Sequence, residues 1–205
     1  LYPTWDRDLA ARLLQSFALT PSQKLKHLSR GQLMKAALLS SLAYRPRLVV
    51  LDEPFSGLDP LARDEFIHGL LELTGGENWT VFISSHDISE VERLADRVAI
   101  LNEGRLQLHE STAALQQRVR RVTLNLPEPL TALPSGLPGS WLVPEPAGRL
   151  LRYVDIAWDE NLSPPSAAKP FPGATLEEAV PLTLRETFVV FSRQFRLGAG
   201  LPPVS

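Results

Sequence analysis

Four short stretches carry side chains that could act together on a phosphate ester. They are HLSRGQL (27–33), LVVLDEP (48–54), SGLD (56–59) and SSH (84–86). Transfer of a phosphoryl group to water needs its oxygens neutralised, usually by Mg²⁺, and a group that orients the attacking water. Asp52 is placed to hold the magnesium, directly or through a bound water. Glu53 is the natural general base or water-polarising group. His86 can donate a hydrogen bond to a terminal phosphate oxygen. Ser29 and the amide nitrogens around Gly31 add donors at the positive end of a helix dipole. Each stretch also has a plainer reading. Ser29 followed by Gln32 is a capping box, LVVLDEP a core strand with an acidic end, SGLDP a turn and His86 a surface histidine. Only their order and spacing together favour the phosphate chemistry.

The elements that must position these groups follow from periodicity. Asp6 caps a helix in which Leu9, Leu13 and Phe17 recur at every fourth position beside Ala10 and Leu14, and Pro21 ends that neighbourhood. A second helix runs from Arg30 to about Tyr44. The unbroken apolar run from Arg47 to Asp52 predicts a strand buried on both faces, as in a parallel sheet. A helix over Leu61–Leu73, a turn at Gly75-Gly76 and a second buried strand over Trp79–Ser84 follow. Ligands of parallel α/β sheets collect at the carboxyl ends of the strands, so Asp52 and His86 should face one crevice. A helix over 87–95 and a hairpin of strands 97–101 and 105–109, turned at Asn102-Glu103-Gly104, complete the α/β pattern.

Beyond residue 120 the habit changes: five of the 18 prolines precede that point and 13 follow it. Short β-like pieces (Val122–Leu126, Leu150–Trp158) stand among loops, and Pro164-Pro165 through Pro172 reads as a linker or exposed loop. Thr183-Leu-Arg-Glu186 is another capping box and opens a helix to about Phe195.

LSRGQ, LVVLDEP, SGLD and ISSHD, in this order and at these intervals, resemble the ATP-binding-cassette ATPases. The likeness covers residues 25–110. It implies an α/β, P-loop-NTPase-like fold with a mostly parallel sheet, part of a helical subdomain and a small α+β C-terminal extension. The implied domains are a partial helical subdomain (1–46), a partial ATPase core (47–118) and the extension (119–205). Carried over residue by residue, the resemblance makes Ser29, Arg30, Gly31 and Gln32 the signature that contacts nucleotide. It makes Asp52 the magnesium ligand, Glu53 and His86 the catalytic pair, and Ser56–Asp59 the interface loop, with Asp59 near the nucleotide. Arg30 departs from the commonest glycine at its position, and a cation beside phosphates is physically sensible. The segment DISEVERLADRVAILNEGRL is similar to transporter ATPases in particular. The helix TLRETFVVFSRQF is similar to the terminal helix of exporter-type members.

One part is missing. The phosphate-cradling G-x-x-x-x-G-K-[ST] loop does not occur, and none of the four lysines, Lys24, Lys26, Lys35 and Lys169, follows a glycine. The chain is therefore expected to be the C-terminal portion of a cassette and, alone, neither to bind ATP tightly nor to hydrolyse it. The resemblance implies ATP and Mg²⁺ as cofactors. It implies a second cassette subunit, identical or different, whose nucleotide meets Ser29, and a transmembrane subunit on the cytoplasmic face of the membrane. The function expected is to power transport, with export favoured. A non-catalytic regulatory cassette and a soluble cassette acting on DNA or ribosomes are the competing readings.

Composition excludes other classes. Net charge of -2 and a pI near 6.1 give no electrostatic case for nucleic acid. The basic knot Arg118–Arg121 reads as solvated surface. Zero cysteines rule out disulfides and thiolate metal sites. No apolar run approaches a membrane span. Trp5, Trp79, Trp141 and Trp158 read as core or loop anchors, and His27, His68 and His109 as surface residues without metal spacing.

Overall fold

A computed structural model of the chain describes residues 5–74, 79–161, 170–196 and 201. The expected turn at Gly75-Gly76 and most of the proline-rich loop from Pro164 lie outside the described residues. The chain divides into two compact units, Leu1–Asp87 and Ile88–Ser205, so the division falls within residues 47–118.

In the first unit, helix α1 (Arg7–Ser16) begins where the Asp6 carboxylate accepts the Leu9 amide at 2.8 Å. That bond, joined by the Arg45 guanidinium at 2.6 Å, holds the Asp6 carboxyl below the usual range. A 3₁₀ turn (Leu25–His27) leads to helix α2 (Arg30–Leu42). Leu9, Leu13 and Phe17 are buried as their spacing predicts, as are Leu38, Leu39 and Leu42 of α2. Helix α3 (Pro60–Thr74) admits the Phe17 ring at Gly69, where an added Cβ would lie 2.5 Å from the ring. Phe55 meets Phe66 edge to face at 5.7 Å.

Strands β1 (Leu48–Asp52) and β2 (Thr80–Ser84) pair in parallel, with Val50 opposite Phe82 and Asp52 opposite Ser84. Both were expected to be buried on both faces, and here the structure differs. Val49 is 5% exposed, whereas Leu48, Val50 and Phe82 are 56%, 65% and 57% exposed. Continuous apolar runs mark parallel strands because such sheets are normally covered twice. Among the described residues this pair is covered once. Alternation places Val50, Phe82, Asp52 and Ser84 on the same, open face.

The second unit starts with α4 (Ile88–Leu94) and the antiparallel hairpin β3 (Arg97–Asn102) and β4 (Arg105–Ser111). Its two turn residues, Glu103 and Gly104, both have positive φ (49° and 73°), the geometry that matches strand twist in a tight hairpin. Ser111 caps α5 (Thr112–Arg118), a helix with no counterpart among the sequence expectations. A four-stranded antiparallel sheet follows in the order β6-β7-β5-β8. Its strands are β5 (Arg120–Asn125), β6 (Trp141–Ala147), β7 (Leu150–Asp155) and β8 (Thr175–Pro181). Strand β6 is hidden in the sequence by Pro144 and Pro146, which an edge strand tolerates. Helix α6 (Leu184–Arg196) opens on the expected capping box, with the Thr183 amide donating to Glu186 at 2.9 Å and the Glu186 amide to the Thr183 hydroxyl at 3.1 Å.

This sheet has a core on each face. Leu142, Val154 and Ile156 pack with Leu115 of α5 and Phe191 of α6. Val122, Leu124, Leu151, Tyr153 and Trp158 form the other. Trp141 and Trp158 are buried core residues as expected, while Trp5 lies exposed, edge-on to Tyr44. The basic knot is solvated surface only at Arg121, whose side chain is 45% exposed. Arg118 and Arg120 are largely covered, with side chains 16% and 12% exposed. Arg118 donates to Glu110 from two nitrogens (2.8 and 2.6 Å) and to the Ile156 carbonyl, Arg120 pairs with Glu160 at 3.3 Å, and Arg121 reaches Glu186 at 2.8 Å. Covered guanidiniums need partners, and β4 (Glu110), the turn after β7 (Glu160) and α6 (Glu186) supply the carboxylates.

Candidate active site

The site is built at the carboxyl ends of β1 and β2. Because the register sets Asp52 opposite Ser84, the Ser84 hydroxyl donates to the Asp52 carboxylate. One residue on, the Glu53 amide donates to both the Ser84 carbonyl (3.1 Å) and the Ser84 hydroxyl oxygen (3.2 Å). Glu53 sits at φ 46°, a left-handed conformation uncommon for a residue with a Cβ. The two bonds from its amide, and the Ser56 amide donating to its carbonyl at 3.1 Å, hold it there. Strain of this kind collects where the surroundings over-determine a functional residue.

The turn aims Glu53 at His86, whose Nδ1 lies 2.8 Å from Glu53 Oε2. An ionised carboxylate only accepts, so Nδ1 carries the proton in this pair. Both side chains are open to solvent, at 80% exposure for His86 and 38% for Glu53. Ser84, which the sequence placed in the SSH stretch without a role of its own, is the hub that ties Asp52 to Glu53. Its signal lay in the register: it ends β2 as Asp52 ends β1.

The second cluster is the start of α2. Both halves of the capping box are present, Gln32 amide to Ser29 Oγ at 3.2 Å and Ser29 amide to Gln32 Oε1 at 2.9 Å. The Gln32 side chain is thereby committed to the cap, whereas the Ser29 hydroxyl accepts and keeps its proton for another acceptor. Gly31 is buried, and an added Cβ would lie 3.0 Å from the Ala62 Cβ of α3. It has a packing reason as well as an amide to offer. Arg30 lies over Gly57, where φ is +70° and a Cβ would fall 2.3 Å from Nη1. Asp59 caps α3, its Oδ1 accepting the Ala62 amide at 2.9 Å ahead of Pro60. Lys35, 6% exposed, reaches Glu65 at 2.5 Å and ties α2 to α3.

Ser29, Arg30 and Asp59 are thus brought together through Gly57 and α3, and Asp52, Glu53 and His86 through Ser84. Among the described residues no group of three His, Cys, Asp or Glu could hold a metal alone. One carboxylate with a hydroxyl beside it still suits Mg²⁺, which keeps several waters and takes substrate phosphates as ligands.

A family model described as "AAA domain, putative AbiEii toxin, Type IV TA system" matches residues 20–92. Over about half of the chain these motifs are similar to those of ATP-binding-cassette transporter ATP-binding proteins. The chain is 41% identical over 104 residues to the energy-coupling factor transporter ATP-binding protein EcfA of Methanothermobacter thermautotrophicus, covering 49% of this chain and 33% of that protein. It is 34% identical over 128 residues to the energy-coupling factor transporter ATP-binding protein EcfA2 of Staphylococcus aureus, covering 60% of this chain and 45% of that one. Among solved structures, cbiO1 of Clostridium perfringens, described as part of the ABC transporter complex cbiONQ, aligns at a TM-score of 0.46 and 30% identity, over 51% of this chain and 43% of that one. The chain spans a third to under half the length of the curated relatives it matches. Among the described residues no helix is long and apolar enough to cross a membrane.

Proposed function

We propose that this chain supplies two half-sites of an ATP-hydrolysing cassette that powers a membrane transporter. The observation that carries the reading is the pairing of Glu53 with His86 at 2.8 Å beside the joined Asp52 and Ser84, at the ends of two parallel strands.

In this reading Glu53 orients a water through Oε1 and accepts its proton, while Oε2 stays engaged by His86. His86 Nε2 is assigned to a terminal phosphate oxygen, a donation that, with Nδ1–H directed at Glu53, uses both ring nitrogens as donors. Asp52 and the Ser84 hydroxyl would hold Mg²⁺, which would supply charge neutralisation of phosphate oxygens. The capped start of α2 presents the Ser29 hydroxyl, the Arg30 guanidinium and the Gly31 amide to a nucleotide held mainly by a second cassette, identical or different. Asp59, through its cap on α3, shapes the loop beside it. The division into helical part (1–46), ATPase core (47–118) and extension (119–205) is the functional one we adopt. The open face of Leu48, Val50 and Phe82 supports the view that further chain, carrying the phosphate loop, completes the core. The chain then works on the cytoplasmic face of the membrane with a transmembrane subunit. Export is the direction we assign, on the likeness of the α6 helix to exporter-type members.

Two measurements test this. The 205-residue chain by itself should show no steady-state ATPase, and turnover abolished by Glu53→Gln would overturn the expectation. In a complete cassette, Glu53→Gln should lower kcat by about 10²–10⁴-fold with nucleotide affinity kept. Ser29→Arg should likewise stop hydrolysis without loss of binding to the chain's own phosphate loop. An equal loss of affinity would mean the half-sites are misassigned.

A further inference from the structure

The His86 ring is open to solvent, so packing does little to fix it, yet its Nδ1 lies 2.8 Å from Glu53. A side chain in that position depends on its backbone for aim. The residues on either side of it supply the hold. The Ser85 hydroxyl oxygen accepts the Asp87 amide at 3.0 Å and closes a short turn around His86. The Asp87 carboxylate in turn meets the Arg63 guanidinium of α3 at 3.3 Å, and both side chains of this pair are partly covered.

Arg63 stands on a firmly seated element. Phe66, Ile67 and Leu70, further along α3, are buried in the core of the first unit. One turn before Arg63, Asp59 holds the helix start. Its Oδ1 accepts the Ala62 amide at 2.9 Å and its carbonyl accepts the Arg63 amide at 3.0 Å. Arg63 is thus bonded through its backbone to the end of the 56–59 loop and through its side chain to the turn that carries His86. The chemistry assigned above to Asp52, Glu53, Ser84 and His86 uses neither Arg63 nor Asp87. An ion pair this exposed adds little to stability, so its use lies in geometry.

We propose that the Arg63–Asp87 ion pair holds His86 against Glu53 and links its aim to the 56–59 loop. Arg63 and Asp87 act through His86 and are positioning residues. The effect on turnover rests on the ATPase reading, whereas the placement of His86 is measurable without nucleotide. The first readout is the ring Hε1 resonance of His86 in the 205-residue chain at fixed pH, assigned by its loss in His86→Gln. Glu53→Gln should move that resonance, because it changes the group that faces Nδ1. In chains that also carry Arg63→Gln or Asp87→Asn, the same Glu53→Gln change should move it by about half as much or less. A mere loss of nearby charge would offset the resonance and leave that response intact. The second readout is turnover of a complete cassette. Arg63→Gln and Asp87→Asn should each lower kcat by about 10–10²-fold with nucleotide affinity kept. The two together should cost no more than either alone, and Arg63→Lys should restore part of the loss. If one variant alters the far-UV spectrum, the other removes the same bond from the opposite end. The proposal is overturned if the response of His86 to Glu53→Gln survives both changes, or if both leave kcat intact. If Glu53→Gln itself leaves turnover intact, the ATPase reading fails and the resonance alone decides the placement of His86.

Discussion

In the first unit Leu48, Val50 and Phe82 stand on regular, paired strands and yet face solvent. In the second, Val122, Leu124 and Leu151 stand on paired strands and are fully covered, with a separate core on the opposite face. Both sets of strands are paired in register, and the contrast lies in burial. A parallel pair joined through a helix depends on layers contributed from elsewhere, whereas an antiparallel sheet with its own helix and loops can cover itself. The chemistry follows the same division. The acid–base pair sits on the unit with the uncovered sheet, not on the self-covered one.

That contrast breaks most easily at the cores. Phe191→Ala, at a residue 0% exposed, should destabilise the second unit by about 3–5 kcal/mol. Phe82→Ala, at a residue 57% exposed, should cost under about 0.5 kcal/mol. Denaturant midpoints of the two variants check the pair, and equal losses would mean that the β2 face is covered in solution.

A smaller effect sharpens the account of the second core. Tyr153 is 2% exposed, and its hydroxyl finds no hydrogen-bond partner among the described residues. Burial, with the charge of Asp155 second, pushes its ionisation well above the ordinary range. Burial likewise raises the Asp155 carboxyl. Tyr153→Phe should therefore be neutral or stabilising by about 1 kcal/mol, because the isostere removes an unmet polar group and keeps the stack on Trp141. A clear loss of melting temperature would reveal a partner for the hydroxyl.

A further effect is electrostatic. The Arg121 guanidinium, with the Thr183 amide, lowers the Glu186 carboxyl from 4.5 to about 2. A depressed carboxyl contributes stability that is present above pH 4.5 and is lost as the pH falls toward about 2. The Glu186 side chain is 41% exposed, so solvent screening reduces the contribution to about 1 kcal/mol. Stability measured from pH 5 to 2 should decline less in Glu186→Gln than in the native chain.

Much of this was legible in the order of residues because the signals are local. Spacing every fourth residue placed Leu9, Leu13 and Phe17 in one core, and Ser29 with Gln32, like Thr183 with Glu186, announced helix starts that the hydrogen bonds bear out. The hairpin at Glu103-Gly104 was equally plain, since tight turns restrict which residues fit. Misreadings came where distant residues decide. Composition marked Arg118 and Arg120 as surface, but Glu110 is returned to Arg118 by helix α5 and Glu160 meets Arg120 from 40 residues away. Strand β6 was masked by prolines whose cost depends on which edge of the sheet faces outward.

By itself, then, the sequence determined the residue types, the helix caps, the strand ends and the spacing that set a carboxylate pair and a histidine in one neighbourhood. Only tertiary structure decided that Ser84 joins Asp52 to Glu53, that Glu53 is turned at positive φ toward His86, and that Gly31 and Gly57 are spaces filled by Ala62 and Arg30. It also decided that Val50 and Phe82 lie uncovered while Val122 and Leu151 do not. The reason is range. Caps and turns are contacts within a few residues, whereas strand register, close approach and burial depend on which distant segments meet.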